Sequence, residues 1–306
     1  MLLTPELLNR LTPLEIKARQ IVEGFISGLH KSPYFGFSVE FAEHRPYNPG
    51  DELKHLDWKV YGKTERHYVK QYEEETNLRC YLLLDVSTSM QYRYFAEWSK
   101  LRYGVHLAAA IAYMLHRQRD GCGLVPFDRE IGEIIPAKSS YPHLLHLYRI
   151  MDEILETRDS ENAGPRLTAS ADAIHQLAER INRRSLVVVM TDLFENTRRH
   201  DELISSLKHL RHKKHEVVLF HLLEKRSERD LDFPDDRFVF EDLETGGQMD
   251  VIPSQIRKDY RKKMDQFTRD FRIACSEARI SYEEVDTQTP FDLALLAFLN
   301  KRRRMM

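Results

Sequence analysis

The sequence predicts an α/β protein with a doubly wound, mostly parallel sheet of Rossmann type, and three observations carry that expectation. Residues 79–84, 186–190 and 217–223 are apolar almost without interruption, as strands buried on both faces must be. Long helical patterns separate these runs, and parallel strands need such crossovers. Two of the runs stop on a carboxylate, Asp85 and Asp192. Acid therefore leaves the carboxyl ends of strands, which is where open α/β sheets bind ligands.

Composition sets the outer bounds. A chain of 306 residues has room for one large domain and a smaller companion, and 42% hydrophobic residues are enough for a folded core. A formal charge of −2 gives no general drive toward nucleic acid or a membrane surface. Cys80, Cys122 and Cys275 are far apart in apolar surroundings, so buried free thiols are expected rather than bridges or zinc. The amino terminus carries no basic region followed by an apolar stretch, and no apolar run approaches the roughly 18 to 20 residues that span a bilayer. A cytoplasmic protein without a membrane span is expected.

Taken in order, residues 1–30 read as a helix, with Thr12 and Pro13 at its start and Ile16, Ile21, Val22, Phe25, Ile26 and Leu29 at helical spacing. Residues 31–66 break that pattern; Pro46, Pro49 and Gly50 make a stiff turn, and residues 67–76 are extended. This first quarter is dense in charge, with Glu43, Arg45, Asp51, Asp57, Lys59, Lys63, Arg66 and Lys70. Ion pairs fixing an irregular backbone explain it more simply than catalysis, and Trp58 suits a packing anchor. Residues 1–76 are therefore expected to form a helix and a small β-rich accessory lobe, and residues 77–306 the α/β domain.

Within that domain, residues 93–118 predict an amphipathic helix stopped by Asp120-Gly121, and residues 122–127 and 131–136 predict strands. Helices follow over 140–157 and 166–182, with a strand over 186–190 between the second and a helix over 198–212. A strand over 216–223 contains His221, a residue better suited to a hydrogen-bonded place in the core than to a ligand. Residues 211–215 are cationic, as a solvated helix end is. Residues 225–252 interrupt the alternation with an inserted hairpin, residues 238–240 against 249–252. A helix over 254–278, a strand over 280–285 and a helix over 290–300 complete the chain.

The chemistry concentrates at Asp85-Val86-Ser87-Thr88-Ser89. Alternate residues of an extended loop project to one side, so one carboxylate and two hydroxyls can converge on a point. An all-oxygen set with a single carboxylate suits magnesium, which prefers octahedral oxygen coordination and keeps several waters. The simpler alternative is that Ser87 or Ser89 caps the next helix, with Asp85 favouring its dipole.

Asp85, Ser87 and Ser89, with Asp192 ending a second strand, resemble the metal-ion-dependent adhesion site of the von Willebrand factor A domain. That site also takes a threonine from an intervening loop, and Thr168, at the loop-to-helix junction where the 166–182 helix opens, matches it best; Asp172 lies a turn too deep to replace it. The resemblance implies a magnesium site, with manganese or calcium as substitutes, formed by Asp85, Ser87, Ser89, Thr168 and Asp192. The stretch from Phe41 to Asp51, with Asp57-Trp58-Lys59 and Tyr68-Val69-Lys70, resembles the signature of a bacterial domain-of-unknown-function family, in which it precedes a von Willebrand factor A-like half. That family is associated with MoxR-type AAA+ ATPases, which implies a role in assembling or activating other proteins.

Two functions follow. The first is a non-enzymatic, metal-dependent protein-binding module whose ion captures an Asp or Glu of a partner protein, acting with a MoxR-type ATPase. The second is a magnesium-dependent phosphohydrolase with Asp85 as nucleophile, similar to haloacid dehalogenase-like enzymes. Those enzymes carry a second aspartate two residues on, where this chain has Ser87. No Gly-x-Ser-x-Gly elbow, phosphate loop or His-Glu-x-x-His pair is present to support other hydrolases.

Overall fold

The computed structural model describes residues 14–30, 44–46, 61–62, 68–70, 78–128, 131–158, 170–181, 184–193, 197–234, 237–243 and 246–303. Most of the charged first quarter, including Asp57, Trp58 and Lys59, lies outside them, as does Thr168. Cα packing groups Met1–Gly28 with Leu78–Met306 as one compact unit and sets Leu29–Asn77 apart as a second. In the second, β1 (His44–Pro46) pairs antiparallel with β2 (Tyr68–Lys70), Arg45 opposite Val69. Helix α1 (Leu14–His30) buries Leu14, Ala18, Ile21, Val22 and Phe25. The sequence places this helix with the accessory lobe; Cα packing groups its first fifteen residues, up to Gly28, with the larger unit.

The larger unit is ordered around a six-stranded sheet. Its strands are β3 (Arg79–Asp85), β4 (Gly121–Phe127), β5 (Ile135–Lys138), β6 (Leu186–Thr191), β7 (Glu216–Leu223) and β10 (Ser281–Asp286). Across the sheet they run β10-β7-β6-β3-β4-β5, parallel throughout except for the antiparallel edge strand β5. The uninterrupted apolar runs are explained by double burial. Leu82, Leu83, Leu84 and every residue from Val187 to Met190 are inaccessible, so both faces of the strand need apolar side chains.

Helices cover the two faces. On one, α4 (Ser170–Arg180), α5 (Thr197–His212) and α6 (Pro253–Glu277) pack Ile174, Leu177, Leu207, Leu210 and Phe271 against Leu83, Val187, Val189 and Leu219. Helix α2 (Lys100–Arg117) lies on the other, close enough that a Cβ on Gly104 would meet Leu222 Cδ1 at 3.0 Å and Leu84 Cδ1 at 3.2 Å. Most of its residues are buried all round, because α3 (Tyr141–Arg158) and α7 (Asp292–Arg303) flank it; Tyr103 stacks on Phe291 with ring centroids 4.4 Å apart. The three cysteines are buried and free. No helix among the described residues is long and apolar enough to cross a membrane.

Two boundaries move from their sequence positions. The helix expected from residue 93 starts at Lys100, where the Ser99 side chain accepts the Arg102 N–H at 3.0 Å as its cap. Residues 92–99 form a loop instead. The strand expected over 131–136 runs over Ile135–Lys138, with Ile131 making only an isolated bridge to Phe127. Gly123 accommodates this edge: a Cβ there would lie 2.6 Å from the Ile135 carbonyl oxygen. The hairpin forms as expected, β8 (Phe238–Glu241) against β9 (Gln248–Val251).

Candidate metal centre

The strand order reverses at β3. The chain moves from β3 outward through β4 to β5, then returns to β6 on the other side of β3. The carboxyl ends of β3 and β6 therefore flank the switch point of the sheet, where α/β proteins form their ligand crevices. With Leu84 in register with Met190, Asp85 and Asp192 leave adjacent strands on the same edge.

Asp85 ends its strand with both oxygens engaged. Oδ1 accepts the Ser87 N–H at 3.0 Å, and Oδ2 accepts the Thr191 hydroxyl at 2.6 Å. Burial and the neighbouring Asp192 push the Asp85 carboxyl above its ordinary range, while the bonds from Ser87 and Thr191 oppose that rise. Ser87 has an extended backbone (φ −64°, ψ 166°) before the 3-10 turn Thr88–Gln91, and its side chain caps no helix. Its Oγ instead lies 3.0 Å from Ser89 Oγ. The helix-capping alternative is thus not what these hydroxyls do; they face each other beside a carboxylate.

Asp192 directs Oδ2 to Lys100 Nζ at 2.8 Å, and the same ammonium bonds Glu228 Oε1. Lys100 is 1% exposed. Burial alone would lower its pKa, but the charges of Asp192 and Glu228 override that and raise it, so it stays an ammonium. Burial lifts the Glu228 carboxyl, and Lys100 opposes the lift. Glu228 Oε2 also accepts the Glu224 N–H at 2.6 Å. Glu224, buried where β7 ends, accepts the N–H groups of Tyr94, Phe95 and Ala96 on one oxygen at 3.0, 2.8 and 2.5 Å. This carboxylate ties residues 94–96 into the loop that precedes the helix.

The predicted residues therefore divide. Asp85, Ser87, Ser89 and Asp192 gather at one edge of the sheet, whereas Thr168 lies outside the described residues. They are also enclosed: Asp85 and Ser87 are 0% exposed, Asp192 1% and Ser89 8%. Sequence reasoning missed Lys100, Glu224, Glu228 and Thr191. A signal for Glu224 was present, since β7, like β3, passes from an apolar run straight to a carboxylate. Lys100 gave none, because between Ser99 and Leu101-Arg102 at a helix start it reads as an ordinary solvated cation.

Chemically, these donors fit a hard divalent cation. They are all oxygen and include two carboxylates from adjacent strand ends; burial and Asp192 disfavour the charged form of Asp85, and a cation would favour it. An attacking nucleophile fits less well, because the Asp85 carboxylate is sealed and hydrogen-bonded through both oxygens. Other charged groups have structural places: His221 Nδ1 pairs with the Tyr282 hydroxyl at 2.8 Å, and Arg211 and Lys213 pair with Glu216 and Glu179 at the end of α5.

Residues 43–269 match the family described as "Protein of unknown function DUF58". Uncharacterized proteins of Mycobacterium tuberculosis and Mycobacterium bovis are 28% identical over 264 residues, covering 84% of this chain and 78% of theirs. Among solved structures, BatB from Bacteroides thetaiotaomicron aligns with a TM-score of 0.47 at 16% identity, over 74% of this chain and 98% of that one. Manganese-loaded TRAP protein of Plasmodium vivax aligns at 0.40 and 15% identity, over 74% of each chain.

Proposed function

Because the chain belongs to the DUF58 family, whose function is unknown, the site has to speak for itself, and we propose that this protein is a divalent-metal-dependent protein-binding module. One observation carries the reading: two carboxylates leave adjacent parallel strands at the switch point of the sheet, beside two hydroxyls of alternate residues 3.0 Å apart. In this reading Asp85, Ser87 and Ser89 hold magnesium, and Asp192 and Thr168 complete the set directly or through water. Magnesium bound by so few carboxylates retains positive charge and exchangeable positions. A partner's Asp or Glu is the natural visitor, with no covalent chemistry required of this chain. The sequence resemblance supplies a MoxR-type AAA+ ATPase as the cooperating protein, in the cytoplasm.

The enclosure of the donors adds a condition. A partner carboxylate reaches the ion only if the turn at residues 88–91 or the loop at 92–99 gives way, and the loop hangs on Glu224 through three hydrogen bonds. A second reading is favoured by the 2.8 Å contact between Lys100 and Asp192: a closed polar core in which a tethered ammonium takes the place of a metal.

Calorimetric titration with magnesium separates the two. The binding module takes up the ion as wild type, loses it with Asp85→Ala, and is weakened by Ser87→Ala and Ser89→Ala, which remove hydroxyls with little loss of packing. Magnesium should also be required for capture of partner proteins on the immobilised chain. If the wild type takes up neither magnesium nor manganese while remaining folded, the closed polar core is the correct account.

A further inference from the structure

A second group of metal-ligating side chains lies away from the sheet edge, on α4 and α5. His175 and Glu179 stand four residues apart, which puts both on one face of α4. His209 reaches them from α5, and the ligand atoms of the three residues all lie within 4.8 Å of one another. His209 Nε2 donates to Glu179 Oε1 at 2.7 Å. The imidazoles of His175 and His209 stack with centroids 4.8 Å apart and planes 26° from parallel. Lys213 Nζ bonds the other oxygen, Oε2, at 2.7 Å, which orients the carboxylate while leaving Oε1 toward the histidines.

Two imidazole nitrogens and one carboxylate oxygen make a borderline-soft set. Magnesium disfavours such a set, and zinc accepts it with a water in the fourth position. Tetrahedral coordination at ordinary zinc distances separates two ligand atoms by about 3.3 Å. The His209 Nε2 to Glu179 Oε1 distance must then open by about half an ångström and the widest pair must close by up to about 1.5 Å, side-chain adjustments within reach at a largely exposed site. His175 and Glu179 are exposed and His209 half-buried, so the ion arrives from bulk water without rearranging the core.

We propose that His175, Glu179 and His209 form a zinc site, with Lys213 orienting the carboxylate and the fourth position left to water. The proton that His209 now donates to Glu179 leaves Nε2 when the metal arrives, either released or carried as the Nδ1–H tautomer, so affinity falls as the solution is acidified. The site is chemically independent of the Asp85 centre, and its fate does not depend on that reading.

The test is titration of the full chain with zinc, followed by calorimetry, and with cobalt, followed by the visible bands of a tetrahedral ion. The wild type should take up one zinc per chain in the micromolar range. His175→Ala, His209→Ala and Glu179→Gln should each weaken uptake by roughly ten- to a hundredfold. A large excess of magnesium should not displace the zinc, and Asp85→Ala should retain it. His175 and Glu179 are exposed and His209 lies outside the apolar core, so the variants should fold, which far-ultraviolet circular dichroism of each checks. Absence of uptake by folded wild type would overturn the proposal, leaving an ion-pair contact between two helices. Equal uptake by the His175→Ala/His209→Ala double variant, or displacement by magnesium, would overturn it too.

Discussion

The buried cluster at the sheet edge and the exposed cluster between α4 and α5 use similar chemistry in opposite surroundings. Each sets a lysine on a carboxylate, Lys100 on Asp192 in one and Lys213 on Glu179 in the other, at 2.8 and 2.7 Å. Equal distances do not mean equal consequences. At the edge the largest single influence on Asp85, Lys100 and Glu228 is the loss of water; it prevails at the two carboxyls, and at Lys100 the charges of Asp192 and Glu228 together overcome it. At the surface Glu179 is held well below the usual carboxylate range by bonds from Lys213 and His209, with burial a lesser influence. A pair in water is screened and individually dispensable, whereas a pair in the core becomes indispensable once made, because either member alone is a stranded charge.

Removing the buried ammonium should give the largest effect. Lys100→Met leaves Asp192 and Glu228 facing each other without a cation, and about 3–5 kcal/mol should be lost in urea unfolding. Adding Glu228→Gln to that variant should recover part of the loss, since one stranded charge is gone. An unchanged midpoint for Lys100→Met would mean that the interior is wetter than the fold implies, and the contrast between the two clusters would fail.

Acid should act next, through His221. Burial lowers its pKa to about 4, below the roughly 6.5 of an unfolded chain. The stability it contributes is complete above pH about 6.5 and is lost as pH falls toward 4, about 1.4 kcal/mol per pH unit and about 3 kcal/mol in all. Urea midpoints measured across that window should slope less steeply for His221→Asn, whose side chain stays neutral. Identical slopes would remove His221 as the cause.

The surface pair should give the smallest effect. Lys213→Ala should leave the urea midpoint unchanged within error, although it breaks a contact as short as the one made by Lys100. A shift comparable to that of Lys100→Met would erase the distinction between the two clusters.

Much of the sheet was legible in the chain. The doubly buried strands β3, β6 and β7 read as apolar runs because both faces need the same kind of side chain, and the hairpin announced itself by breaking the alternation. The start of α2 was less legible. Residues 93–99 carry a helical pattern, and they are overruled by Glu224, more than a hundred residues away in sequence. The edge strand β5 was misplaced because its neighbour is matched across the sheet and at Gly123 by close approach, neither of which leaves a periodic trace.

For the candidate centre, local sequence was enough to nominate Asp85, Ser87, Ser89 and Asp192, because apolar runs ending on oxygen donors mark strand ends without any knowledge of what lies beside them. That Asp85 and Asp192 are neighbours, that Lys100 and Glu228 join them, and that the group is enclosed were decided by strand order and helix packing alone. The same holds for His175, Glu179 and His209, two of which share a helix face that sequence shows and the third of which arrives only through the packing of α4 on α5. Periodicity is a property of one element and its own environment. Proximity between elements depends on the closed path of the whole chain, and no local pattern contains it.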